Sequence, residues 1–103
     1  YMGDILMEDR IICLAHGNSM YPTICHGDTL IVKKGVSDID INQIVLYKDD
    51  NNTLFVHRIV DFFYCSGVPI IVAKGDNCLY YDKPVEIFKV IGMVVEIKRR
   101  NEL

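Results

Sequence analysis

No stretch of this sequence approaches the roughly 18–20 consecutive apolar residues that a membrane-crossing helix needs. Residues 1–10 also lack the apolar core of a signal peptide, carrying Asp4, Glu8, Asp9 and Arg10 instead. A basic stripe is missing too: 11 Lys and Arg stand against 14 Asp and Glu, a net charge of −3, which argues against a nucleic-acid partner. The one basic run, Lys98-Arg99-Arg100, reads as a solvated tail, with a contact to anionic lipid as the weaker alternative. No two of Cys13, Cys25, Cys65 and Cys78 are spaced C-x-x-C, so neither a zinc knuckle nor a redox pair is indicated. Unpaired thiols in a domain of this size point to a reducing compartment, and Cys13, inside an apolar run, reads as a small core residue. Internal repeats, low-complexity segments and Pro/Gly/Ser-rich linkers are all absent.

What remains is a chain of 103 residues, half of them apolar. That suffices for one compact domain, residues 1–103, with a core that needs no disulfide or metal to form. Tyr1 ahead of Met2 reads as a tag remnant or a truncation. The expected location is the cytoplasm for the chain as it stands, or a membrane surface if an anchor has been lost upstream.

No window sustains a 3.6-residue apolar period. Short β-branched and apolar runs separated by turn residues dominate instead, predicting strands over residues 11–15, 29–33, 44–48, 54–60, 68–73 and 90–97. Residues 44–48 and 54–60 form a hairpin across Asp49-Asp50-Asn51-Asn52. Gly92 marks a bulge or a close backbone approach. One helical turn is predicted at residues 4–9 and another at 37–42, where Ser and Asp supply caps. The expectation is an all-β fold, mainly antiparallel and coiled into a small barrel-like sheet.

One segment breaks a strand sharply. In Gly17-Asn18-Ser19-Met20-Tyr21-Pro22-Thr23, glycine permits the turn and proline fixes the exit, so Ser19 sits on a constrained loop. Backbone N–H groups beside such a serine can converge on a developing oxyanion. A serine hydroxyl is a poor nucleophile until a neighbouring base takes its proton. His57, mid-strand in Leu54-Phe55-Val56-His57-Arg58-Ile59-Val60, is the candidate base. His26 belongs to an exposed turn, and His16 is placed to line a substrate groove. An imidazole base needs an acceptor on its second nitrogen, and Lys74-Gly75-Asp76-Asn77-Cys78-Leu79-Tyr80-Tyr81-Asp82 offers Asp76 and Asp82. A metal site built from His16, His26, His57 and a cysteine or aspartate matches no recognised ligand spacing, and no cofactor is indicated.

Taken in order, these boxes resemble the signal peptidase I superfamily, the S24/S26-type serine peptidases with their LexA-like relatives. The nucleophile box at residues 17–23 is followed by Gly27-Asp28-Thr29-Leu30-Ile31-Val32. Next come Gln43-Ile44-Val45-Leu46-Tyr47, then His57-Arg58-Ile59-Val60, then Lys74-Gly75-Asp76-Asn77 with Asp82, and finally Val90-Ile91-Gly92-Met93-Val94-Val95. Bacterial-type signal peptidases and LexA-like proteases carry a lysine where this sequence has His57. The histidine resembles the branch found in the endoplasmic reticulum, in archaea and in some Gram-positive bacteria.

The resemblance implies a Ser-His-Asp endopeptidase working through an acyl-enzyme, with Ser19 as nucleophile and His57 as base. Asp82 is implied as the orienting carboxylate and Asp76 as a support for the site. It also implies a preference for small residues before the cut in leader- or signal-type peptides. Gly17, Met20 and Pro22 are the expected substrate contacts, an extended substrate pairing beside Gly17. A histidine base makes activity fall on acidification, near pH 6.5 for an unperturbed imidazole. Two departures stand out: the membrane span and larger second β domain common in the family are missing, and only residues 58–73 separate His57 from Lys74. Two alternatives are a catalytically inactive peptide-binding module on the same fold and a self-cleaving, dimerising LexA-like regulatory domain.

Overall fold

The computed structural model describes residues 9–100, which hold seven strands and a short 3₁₀ turn after the sixth, with no α-helix among the described residues. The strands are β1 (Arg10–Leu14), β2 (Thr29–Lys34), β3 (Ile44–Lys48), β4 (Leu54–Cys65), β5 (Val68–Lys74), β6 (Val85–Glu86) and β7 (Val90–Lys98), with the 3₁₀ turn at Ile87–Lys89. They form one curled antiparallel sheet in the order β1-β2-β7-β3-β4-β5-β6. The all-β expectation holds.

Burial alternates along the strands as a two-residue period requires. In β1, Ile11 and Cys13 are buried; in β2, Leu30 and Val32 are. β3 is covered on both faces. Leu46 enters a core with Ile11, Cys13, Met20, Ile24, Leu30 and Val32, whereas Val45 and Tyr47 enter a second with Ile59, Ile71, Ala73, Val85 and Val90. The sheet is therefore packed on two sides around its middle strands, which is how so short a chain buries enough apolar surface. Cys13 behaves as the sequence suggests, with burial pushing its thiol up.

The β3–β4 hairpin closes where predicted. Asp49 Oδ1 accepts the N–H groups of Asn51 and Thr53, each at 2.9 Å, and Asn52 adopts φ +61°. β4 runs five residues past its predicted end. The register of β4 against β5 shifts between Ile59 and Asp61, a bulge that lets the strand carry on through Asp61. It turns at Ser66-Gly67, both at positive φ, the geometry a two-residue hairpin demands.

Gly92 is a close-approach point. A Cβ built there would lie 2.2 Å from the Lys33 carbonyl oxygen and 2.8 Å from Val32 Cγ1. It sits where β7 lies between Lys34 of β2 and Leu46 of β3.

Two expectations change. Residues 37–42 form bends and a turn rather than a helical turn; of the 4–9 prediction, residues 4–8 lie outside the described residues and Asp9 belongs to a turn. The Lys98-Arg99-Arg100 run is not simply a solvated tail. Arg99 Nη1 lies 2.8 Å from Asp28 Oδ2, and its Nη2 donates to the carbonyls of Pro22 at 3.0 Å and Thr23 at 3.1 Å. Asp28 is fully buried, and a carboxylate taken from water needs such a cation. Arg99 thereby ties the end of β7 to the loop that carries Ser19.

Candidate active site

Ser19 follows β1 in a loop that its own backbone folds tightly. Gly17 turns the chain at φ +81°, Tyr21 N–H bonds the Asn18 carbonyl at 3.1 Å, and Ile24 N–H bonds the Met20 carbonyl at 2.9 Å. Met20 and Ile24 are buried in the first core and anchor the loop from beneath. Asp28 Oδ2 accepts the Cys25 N–H at 2.7 Å and closes its far end.

The segment after β5 clamps this loop from the other side. Asn77 N–H donates to the Ser19 carbonyl at 2.8 Å, and Asn77 Nδ2 donates to the Asn18 carbonyl at 3.0 Å. Gly75 makes the fit close: a Cβ there would lie 2.6 Å from the Ser19 carbonyl oxygen, 2.6 Å from Cys78 Sγ and 3.2 Å from His57 Nε2.

His57 lies in β4 opposite Val45, buried, with Phe55 two residues before it on the same face. Its Nε2 is 3.0 Å from Ser19 Oγ. Its Nδ1 meets Asp82 Oδ2, and the Tyr47 hydroxyl donates to that same carboxylate oxygen. The Asp82 backbone N–H is fixed on the Ala73 carbonyl at 2.8 Å. A hydroxyl, an imidazole and a carboxylate thus stand in series, the arrangement that lets an imidazole take a hydroxyl proton while its other nitrogen is held.

The two candidate carboxylates separate cleanly. Asp82 reaches His57. Asp76 is held elsewhere: Arg58 binds it through Nε at 2.9 Å and Nη2 at 2.8 Å, Thr23 Oγ1 donates at 2.7 Å, and its own N–H rests on Met20 Sδ at 3.3 Å. Arg58 Nη1 also donates to the Asn42 carbonyl at 2.8 Å. The pairing with Arg58 and Thr23 holds the Asp76 carboxyl below its ordinary value and raises the Arg58 guanidinium. Asp76 therefore joins three segments around the serine loop without touching the imidazole.

That depression makes a pH prediction. A carboxyl lowered in the folded state adds stability above its unfolded pKa and loses it as pH falls through the lower folded value. Asp76→Asn should cost about 1–3 kcal/mol at pH 7 in urea unfolding. The gap from wild type should close below about pH 3.8, the ordinary value for the group. A gap that persists unchanged at pH 2 would show that the ion pair is not its source.

A cavity of about 370 Å³ opens beside Ser19 and His57, walled by apolar side chains including Ile24, Leu46, Leu54, Phe55 and Val56. Of the expected substrate contacts, Gly17 and Met20 line it, as does His16; Pro22 is not among its walls and is exposed. The Gly17 N–H is engaged within the protein. That N–H donates to His26 Nδ1 at 2.9 Å, and His26 packs edge-on against His16 with ring centroids 5.5 Å apart. Among the described residues, no three His, Cys, Asp or Glu side chains gather as a metal-ligand set.

Tyr47 is the residue that sequence reading missed. Its hydroxyl lies in a buried strand, and a phenol so placed needs a polar partner, which was the available signal. Burial, and then the hydrogen bond to Asp82, push its phenol far above the usual range.

No curated protein matches the chain. A family model described as Peptidase S24-like matches residues 5–95. Because that segment runs from before β1 through most of β7, it takes in nearly the whole described sheet, and the chain belongs to the Peptidase S24-like family of serine peptidases and LexA-like self-cleaving domains.

Proposed function

We propose that this chain is a minimal serine endopeptidase, a single catalytic domain resembling the Ser/His branch of the signal peptidases, which cleaves leader- or signal-type peptides after small residues. The observation that carries the reading is the 3.0 Å separation of Ser19 Oγ from His57 Nε2, with Asp82 on the second ring nitrogen. His57 takes the Ser19 proton as the oxygen attacks the scissile carbonyl. The protonated ring then gives that proton to the leaving amine, and water repeats the sequence on the acyl-enzyme. The Ser19 backbone N–H is the family's contribution to the oxyanion hole. The apolar cavity beside Ser19 receives the small side chains that precede the cut.

The S24-like match also favours a second reading, cleavage of the chain's own flanking sequence. The two differ in kinetic order: self-cleavage within one chain is independent of protein concentration, whereas cleavage of an added peptide is proportional to it.

A fluorophosphonate probe tests the shared core of both readings. Digestion and mass spectrometry should find the adduct on Ser19, forming more slowly as the solution is acidified, because only the neutral imidazole accepts the proton. Labelling confined to other hydroxyls, or insensitive to acid, would remove the nucleophile assignment. An Ala-x-Ala peptide then separates an active enzyme from a peptide-binding module, which would bind without cutting.

A further inference from the structure

We infer that Tyr47 is a positioning residue for this site, its hydroxyl fixing the Asp82 carboxylate that in turn holds His57. The inference rests on the assignment of Ser19, His57 and Asp82 proposed above.

Tyr47 comes from β3 and Asp82 from the loop between β5 and β6, 35 residues later. Only 1% of Tyr47 is exposed. Its ring packs in the second core and stacks on Phe55, its register partner in β4, with centroids 5.5 Å apart and planes 23° from parallel. A ring held by two strands cannot swing, so its hydroxyl is delivered to one point. At that point lies Asp82 Oδ2, the oxygen that also meets His57 Nδ1.

Asp82 needs such a guide because its segment has no ladder of its own. Residues 79–84 form no strand, and Leu79, Tyr80 and Tyr81 are largely exposed. The backbone of Asp82 is tied to Ala73, but that bond leaves the carboxylate free to rotate about its side-chain torsions. Asp76, by comparison, is locked by the fork of Arg58. Two donors converging on one Asp82 oxygen supply the equivalent constraint. The charged and titratable groups around this point are Asp82 and His57 in contact, Ser19 beyond the ring, and Asp49 acting on the phenol from the β3–β4 turn. With its phenol pushed up by burial and by Asp82, Tyr47 stays a donor through the neutral range.

Tyr47→Phe removes the hydroxyl and keeps the ring. With an Ala-x-Ala peptide, kcat should fall about tenfold and KM should stay within about twofold. The acid limb of the rate profile should move to lower pH. Without the phenol the carboxylate turns away from Nδ1 for part of the time and supports the imidazolium less, so the base is freed in a more acidic solution. In an Asp82→Asn background the same change should cost nothing further, since the group it guides is already gone. NMR titration of the His57 ring in the substrate-free protein should show the same downward movement of its midpoint. A midpoint that fails to fall, or losses that simply multiply in the double variant, would overturn the inference. If wild type cleaves no peptide, the proposed function falls, and the NMR titration alone decides whether Tyr47 guides Asp82.

Discussion

Ser19→Ala should abolish measurable peptide hydrolysis, a loss of about 10⁶-fold in kcat if the site works as a unit. The substitution removes one oxygen from a position whose other ties are backbone. The Ser19 carbonyl keeps its bond from Asn77 N–H, and Met20 keeps the loop anchored in the core. The urea midpoint should therefore stay close to that of wild type, so lost activity cannot be ascribed to unfolding. Substrate affinity should persist, because the apolar walls of the cavity are untouched. Burst and steady-state assays on the same preparation would measure this. A Ser19→Ala protein that cleaves at a tenth of the wild-type rate would sink the proposed mechanism.

Gly75→Ala is the second large expectation, and it acts through space. The new methyl would lie 2.6 Å from the Ser19 carbonyl oxygen and 2.6 Å from Cys78 Sγ. The thiol can turn aside, whereas the carbonyl belongs to the backbone that presents the serine. Relief must come from moving that loop, and a displacement of about 1 Å can cost about 100-fold in rate. Overpacking of this kind also costs about 1–3 kcal/mol. We expect kcat/KM to fall at least about 100-fold, with a lower unfolding midpoint. Adding Cys78→Ala should recover part of the stability and little of the rate, since the clash with the Ser19 carbonyl stays. Full recovery of the rate would mean that the thiol, not the serine loop, takes up the strain.

Legibility in the sequence followed the range of the interaction. Strands announced themselves locally: residues 44–48 were bounded correctly because β-branched residues meet a turn at Asp49. β4 was cut short at Val60 because Asp61 looks like a terminator, whereas a bulge lets the strand absorb it. β6 has two residues, too few for any periodicity to register. The site divided in the same way. Ser19 and His57 stood out because their neighbours resemble a known order of boxes. Asp76 and Asp82 occupy one loop six residues apart, and nothing local says which of them meets His57. That depends on Arg58 claiming one and Tyr47 meeting the other. Arg99 was misread for the same reason, its partner Asp28 lying 71 residues away.

The position of β7 has a consequence for how activity arises. β7 follows the other six strands in the described chain, yet it is the strand that joins β1–β2 to β3–β6. Ser19 hangs from the first of those halves and His57 from the second. Without β7 no strand pairing would link the two parts of the sheet, and pairings between strands so distant in sequence are slow to form. The proposed nucleophile and base are thus brought together by closure of the whole sheet and not by either part of it alone.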